Sequence, residues 1–292
     1  MGSALADAYP EARAAFEEAD EALGFALSSV CWEGPADRLT ATEIAQPALL
    51  THSIAAWRVL AARGVVPEFA AGHSLGEFSA HVAAGSLGFA DGVRLVRARG
   101  EVMAAAGRER PGSMAAVIGL DYAAVEALCA AAREGEEVLV PANHNAPGQV
   151  VVSGSVEAVR RAVEIARAHG AKKAVELNVS GAFHSPLMEP AARSLAEALD
   201  AVEVAPARIP VVANFDAEAV SDPEGIRARL LAQLTAPVRW VACVETLRHL
   251  GARVFVEPGP GAVLTGLLRR IDRQLEGRAV GEPADVEEVP AA

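Results

Sequence analysis

The chain holds few cysteines, few aromatic residues and no long apolar stretch, and each shortage removes a class of protein. Cys31, Cys129 and Cys243 are the only cysteines among 292 residues, and they stand too far apart for a disulfide framework or a structural zinc. They read as small apolar fillers in a reducing compartment. Aromatic residues make up 4% of the sequence, and although 52% is apolar, alanine supplies much of that share. The longest stretch without Asp, Glu, Lys or Arg, Val138 to Val156, is broken by Pro, Asn, His, Gly and Ser, which argues against a membrane-spanning helix. Met1 to Glu11 lacks the basic start and apolar run of a secretion signal, so the expectation is a soluble, cytoplasmic protein. Positive charge is also short: 26 Lys and Arg against 38 Asp and Glu leave a net charge of −12. That is the wrong sign for general nucleic-acid binding, though a local basic patch remains open. No cluster of ligand-type residues calls for a metal or a tightly bound cofactor.

What the chain does have is an alternation of short β-branched runs with Ala-rich helical segments, the signature of an α/β fold. Helices are expected over Gln46 to Arg63, Leu75 to Ala84, Val93 to Ala106, Val156 to His169, Pro186 to Leu199 and Ile226 to Leu234. Strands are expected over Glu68 to Ala71, Ala115 to Leu120, Glu137 to Val140, Gln149 to Ser153, Ala174 to Val179, Pro210 to Ala213 and Arg253 to Glu257. From Ser113 to Val179 the order strand, helix, strand, strand, helix, strand predicts a ferredoxin-like insert. Residues 1–112 and 180–278 then form a larger subdomain with a mainly parallel, helix-covered sheet and a hydrolase-like core. Its ligand site is expected at the carboxyl ends of the strands. The segment after Arg278, residues 279–292, is rich in Glu, Pro and Ala and reads as a disordered tail.

Chemistry concentrates at Gly72-His73-Ser74-Leu75-Gly76. The serine follows an apolar strand candidate and opens a helical run, flanked by glycines that let the backbone turn sharply. A tight turn with a serine cap is the structural alternative, but the strand-to-helix context favours a nucleophile. At a helix N-terminus the Leu75 amide can also stabilise a developing oxyanion. A serine needs a base, and histidine is the usual one near neutral pH. His52, His169 and His249 lie in helical patterns, while His73 and His81 flank the nucleophile or face away from it. His144 and His184 stand in irregular segments. His184, in Ser180-Gly181-Ala182-Phe183-His184-Ser185-Pro186, follows a strand and precedes a helix, which puts it at the same rim as Ser74.

These residues resemble the malonyl-CoA:acyl carrier protein transacylases, the acyltransferases of fatty-acid and polyketide synthesis. The resemblance runs from Ala4 to about Ile271. It is carried by Gln46-Pro47-Ala48-Leu49-Leu50, Gly72-His73-Ser74-Leu75-Gly76-Glu77, Val96-Arg97-Ala98-Arg99-Gly100, Asn145-Ala146-Pro147-Gly148-Gln149-Val150, Ala182-Phe183-His184 and Glu257-Pro258-Gly259-Pro260-Gly261. It implies that Ser74 is the nucleophile, His184 its general base and Arg99 the partner of the substrate carboxylate. A guanidinium can hold that carboxylate through two parallel hydrogen bonds; read by itself, Arg99 would be an exposed helix arginine like Arg97. The carbonyl at Gln233 would orient the histidine in place of the acid of a conventional triad. Phe183 resembles the malonyl-selective version of its segment, where a ring would crowd an α-methyl, a contact that discriminates by about 1 to 3 kcal/mol. His73 would line the substrate pocket. Asn145 and Gln149 would shape the pocket roof or cap a turn.

The resemblance further implies two substrates, malonyl-CoA and carrier-bound phosphopantetheine, no separate cofactor, and acyl carrier protein as the partner of a monomer. An acidic carrier calls for a local basic surface, for which Lys172 and Lys173 are candidates. One feature departs from the family: its usual opening strand and glutamine-bearing loop, a source of a second oxyanion donor, precede the position where Met1 aligns. Loss of one such donor costs about 2.7 to 4 kcal/mol in the transition state. That leaves open a start recorded downstream of the true one, or a truncated, weakly active or non-catalytic carrier-binding homologue. A serine esterase or thioesterase is the enzymatic rival, but its fold expects an acid between the serine and the histidine.

Overall fold

A computed structural model describes residues 1–290. Five helices come first: α1 (Ser3–Ala8), α2 (Pro10–Leu23), α3 (Leu27–Glu33), α4 (Ala36–Thr40) and α5 (Thr42–Ala62). Strand β1 (Ala70–Ala71) leads into α6 (Leu75–Ala83), and the long α7 (Phe89–Glu109) follows. Next come β2 (Gly112–Ile118), α8 (Tyr122–Ala132), β3 (Leu139–Ala146), β4 (Gln149–Ser155), α9 (Val156–Ile165) and β5 (Lys173–Glu176). A 3-10 turn, Pro186–Met188, opens α10 (Glu189–Asp200). The chain ends with β6 (Val211–Val212), β7 (Ala219–Val220), α11 (Pro223–Ala232), α12 (Trp240–His249), β8 (Val254–Pro258), α13 (Val263–Ile271), β9 (Glu276–Val280) and α14 (Pro283–Glu287).

Strands β2 to β5 form one antiparallel sheet in the order β3-β4-β2-β5. Val117, Val150 and Val152 pack with Val125 and Leu128 of α8 and Val159 of α9 into a core of their own. The larger half differs from expectation. In place of one broad parallel sheet it has a three-stranded sheet, β1-β6-β7, and a parallel pair, β8-β9. Within the first, β1 pairs parallel to β6, and β6 antiparallel to β7. The reason lies in the alanines: small side chains let helices approach one another, so much of this core is helix on helix. At Gly100 of α7 an added Cβ would sit 2.6 Å from the Cα of Glu43 on α5. That close approach sets Arg99 against Gln46.

The segment read as a disordered tail is folded as far as the described residues reach. Arg278 to Val280 complete β9 against β8, and Glu282 and Asp285 form a reciprocal cap on α14. Val280, Val286 and Val289 are buried in the main core. Composition misleads here because three valines in a polar segment suffice once neighbours offer an apolar slot. Residues 291–292 of that expectation lie outside the described residues. Smaller differences concern His144, which stands in β3 rather than in an irregular segment, and His169, which lies in the turn after α9. Strand β3 runs on past Val140 to Ala146 because register shifts at Pro141/Asn143 and His144/Ala146 absorb its irregular residues. The three cysteines are free and buried. No described helix is long and apolar enough to cross a membrane.

Candidate active site

The turn between β1 and α6 is held in an uncommon backbone shape. Ser74 has φ 51° and ψ −107°, a strained conformation for a residue with a side chain, costing of order 1–3 kcal/mol. Two features compensate. A Cβ on Gly72 would overlap the backbone carbonyl of Gly76, so the chain folds back on itself where only glycine fits. Asn214, two residues beyond β6, then staples the turn: its Oδ1 accepts from the Ser74 N–H at 2.7 Å and its Nδ2 donates to the Gly72 carbonyl at 2.8 Å. The parallel register that pairs Ala71 with Val212 brings Asn214 there. Leu75 is the first residue of α6, so its N–H has no carbonyl one turn back to bond and faces the end where the helix dipole is positive.

His184 reaches the same point from the segment after β5. Gly107 of α7 and Gly112 of β2 allow that segment to lie against them; a Cβ on the first would overlap the Ser180 carbonyl. His184 has φ 56°, and the Ser185 hydroxyl donates to the Ala182 carbonyl at 2.6 Å, tightening the bend. Nε2 of His184 lies 2.7 Å from the Ser74 Oγ, and Nδ1 lies 2.9 Å from the backbone carbonyl of Gln233. A carbonyl only accepts, so Nδ1 carries the proton and Nε2 presents a lone pair to the serine hydroxyl. Burial, together with the Arg99 charge, lowers the imidazole to a pKa of about 3. The ring is therefore neutral and able to take a proton.

Arg99 is 1% exposed. It donates to Gln46 Oε1 at 2.7 Å, to Gln233 Oε1 at 2.9 Å and to the Ser74 Oγ at 3.2 Å. Its guanidinium carbon lies 5.3 Å from the centre of the Phe78 ring. Burial lowers its pKa to about 10, which leaves it charged at neutral pH. Arg97, by contrast, pairs with Glu101 at the surface. Every acceptor in contact with Arg99 among the described residues is neutral, so a buried cation stands beside the serine with no carboxylate touching it. Such a cation is costly unless an anion joins it.

The remaining expected residues gather around this centre. His73 lies 2.8 Å from Asn145 Oδ1 and stacks edge-on against Trp240, so Asn145 engages a side chain beside Ser74 rather than capping a turn. Phe183 is half-buried and precedes His184. Gln149 is taken up by Arg270 at the surface. Lys172 and Lys173 are exposed on the insert. The Gln233 side chain does more than its position suggested, donating to the Ser74 carbonyl at 3.0 Å and to Glu77 Oε2 at 2.7 Å. Reading the sequence missed Gln46, Glu77 and Asn214. The first two sit inside quoted motifs without a role, and nothing local marks Asn214. Among the described residues, no group of three or more His, Cys, Asp or Glu side chains could hold a metal.

The acyl transferase domain family matches residues 1–288. The chain is 45% identical over 287 residues to the malonyl CoA-acyl carrier protein transacylase of Bacillus subtilis, covering 98% of this chain and 90% of that protein. It is 45% identical over 281 residues to the protein of the same name from Escherichia coli K12, at 96% and 91% coverage. Among solved structures, an acyl carrier protein S-malonyltransferase from Vibrio cholerae superposes with a TM-score of 0.96 at 44% identity, covering 99% and 95% of the two chains. A malonyl-transacylase solved in complex with a type II PKS acyl-carrier protein gives 0.95 at 42% identity, with 98% and 93% covered.

Proposed function

The chain belongs to the acyl transferase domain family, and we propose that it transfers a malonyl group from malonyl-CoA to the phosphopantetheine thiol of acyl carrier protein through a malonyl-Ser74 intermediate. The observation that carries this reading is Arg99, a buried guanidinium that no carboxylate touches, 3.2 Å from the Ser74 Oγ. An acyl group ending in a carboxylate supplies the directly contacting anion that Arg99 lacks, and acetyl or long-chain groups do not.

In the first half-reaction, Ser74 Oγ attacks the thioester carbon while His184 Nε2 takes the hydroxyl proton. The negative charge on the carbonyl oxygen is met by the Leu75 amide. Collapse expels coenzyme A, whose sulfur receives the proton from Nε2. In the second half, the carrier thiol gives its proton to Nε2 and attacks the malonyl ester, and Nε2 returns the proton to the departing Ser74 Oγ. The Gln233 carbonyl holds the ring throughout, a role a neutral group can fill because it need only fix the tautomer. His73, Asn145 and Phe183 form the pocket wall, with Phe183 disfavouring an α-methyl. An esterase is a poorer reading, since His184 leans on a main-chain carbonyl and a cation occupies the acyl side.

The strand order β3-β4-β2-β5 with two helices supports a ferredoxin-like insert over residues 113–179, and the strand–elbow–helix unit supports a hydrolase-like core for 1–112 and 180–278. The enzyme works as a cytoplasmic monomer that docks an acidic carrier on basic patches including Lys172 and Lys173. Reversing both charges raises the carrier KM without altering acylation by malonyl-CoA; equal losses in both steps refute the patch. The decisive test of the reaction is intact-mass analysis after brief exposure to malonyl-CoA. A malonyl adduct lost in Ser74→Ala supports it, and no adduct, or one that persists in Ser74→Ala, overturns it.

A further inference from the structure

One buried ionisable group has no part in the cycle above. Glu77, one turn into α6 from the nucleophile, is 0% exposed. Its Oε2 accepts from the Asn214 N–H at 2.9 Å and from Gln233 Nε2 at 2.7 Å, while its Oε1 has no partner. The same Gln233 amide accepts from Arg99 through Oε1 at 2.9 Å. A single side-chain amide therefore bridges a buried cation and a buried carboxylate that do not touch. Neither takes part in a salt bridge among the described residues.

The other ionisable groups facing Glu77 are Asp216 beyond β6, which Arg229 holds at 2.8 Å, and Cys243 on α12, whose thiol burial pushes up and keeps neutral. His184 lies on the far side of Gln233 and is neutral. Arg99 is thus the only cation at close range that offsets the Glu77 charge. Burial raises the carboxyl to a pKa of about 7, with Asn214, Gln233 and Arg99 pulling the other way.

Resting on the reading of Arg99 as the malonyl-carboxylate partner, we infer that Glu77 is the resting counter-charge of Arg99 and gives up that charge, by taking a proton from solvent, when the malonyl carboxylate arrives. The site has one cation for two buried anions once the acyl group is in place, and two carboxylates sharing one site cannot both ionise cheaply. The substrate carboxylate makes the direct contact, so Glu77 yields. The proton goes to Oε1, which has no other bond, and Oε2 keeps both of its donors. Loading then consumes a proton that the chemistry of transfer, neutral overall, does not. By linkage, malonyl occupancy falls as pH rises above the free-enzyme pKa, because binding favours the protonated carboxyl.

The test counts protons per adduct. Wild type at about pH 7.5, lightly buffered with an indicator dye, is mixed with malonyl-CoA, and adduct is quantified by intact mass. Uptake approaching one proton per malonyl-Ser74 is expected, beyond any release from the coenzyme A thiol. Glu77→Gln, which preserves shape and can still accept both hydrogen bonds, should lose that uptake while still forming adduct. Acetyl-CoA, whose acyl group carries no carboxylate, should give none on the unaltered protein, so the inference stays testable should Glu77→Gln fail to fold. Equal proton counts for malonyl and acetyl adducts overturn it, as does full uptake in Glu77→Gln, which would assign the proton to His184. No malonyl adduct at all overturns the transferase reading itself, and this inference with it.

Discussion

The backbone carbonyl of Gln233 stands 2.9 Å from Nδ1 of His184, so the group that orients this ring belongs to the main chain and survives a side-chain change. Gln233→Ala removes the contacts to Arg99, Glu77 and the Ser74 carbonyl but leaves that carbonyl in place. Hydrogen bonds to charged groups are worth about 1.5–3 kcal/mol, so kcat/KM should fall by roughly tenfold to a hundredfold. The acid limb of the pH profile should not move. A shifted limb would mean that the side chain, not the carbonyl, sets the tautomer.

Arg99→Ala separates substrates. Removing one partner of a buried charge pair costs about 2–5 kcal/mol, so malonyl transfer should drop by at least roughly thirtyfold while transfer from acetyl-CoA drops far less. Competition assays with both thioesters read the ratio directly. Equal losses would show Arg99 to be a scaffold rather than a recognition group.

The depressed His184 has a consequence for pH. With a pKa of about 3, its Nε2 stays unprotonated well below the usual histidine value, so kcat/KM for malonyl-CoA should show no acid-side fall near about pH 6.5, only the decline above about 7 that ionisation of Glu77 imposes. Stability runs with the opposite demand. The native state binds fewer protons at His184 and at His81, which burial also lowers to about 3; their contribution is full above the unfolded pKa and is lost as pH falls from about 6.5 toward 3. Glu77, raised to about 7, costs stability as pH climbs from about 4.5 to 7, so the Tm advantage of Glu77→Gln over wild type should widen across that interval and then level. A constant difference would contradict the shift.

Gly72→Ala places a Cβ inside the backbone of Gly76. Overpacking usually costs about 1–3 kcal/mol, and here neither wall is a flexible side chain, so the upper end or beyond is expected, with loss of the malonyl adduct. Gly76→Ala is the control, since its Cβ meets nothing within 4 Å. Calorimetry on both should show a large drop in Tm for the first and little for the second.

Val286→Ala tests whether the C-terminal segment belongs to the fold. Val286 is fully buried, and losing two methyl groups there should cost about 2 kcal/mol. An unchanged Tm would return the segment to the status its composition suggests.

The sequence revealed the parts of the site that depend on local chain geometry. Glycines around Ser74 announce a sharp turn, and His184 could be placed at the same rim from the strand before it and the helix after it. What escaped reading depends on distant approach. Asn214 sits in a short segment between two-residue strands, and only the parallel register of β6 with β1 carries it to Ser74. Glu77 looks like an ordinary helix glutamate until the packing of α6, α7 and α11 is known. Arg99 differs from Arg97 only in which face of α7 it occupies. The core of the larger half was misjudged in the same way, because alanine-rich helices signal their own existence but not whether they pack on a sheet or on each other.

Helix α7 carries Arg99 and, two turns later at Gly107, receives the segment that delivers His184. The Arg99 guanidinium and the segment bearing the His184 imidazole are thereby referenced to one rigid rod, at points about 12 Å apart along its axis. Retailoring this enzyme for a different acyl chain is consequently a problem of phase: an insertion, kink or register slip in that rod that opens room beside the guanidinium also rotates the imidazole away from the serine. Variants with new substrate preference and undiminished turnover should therefore cluster at His73, Asn145 and Phe183, the walls proposed for the pocket, with the helix itself left intact.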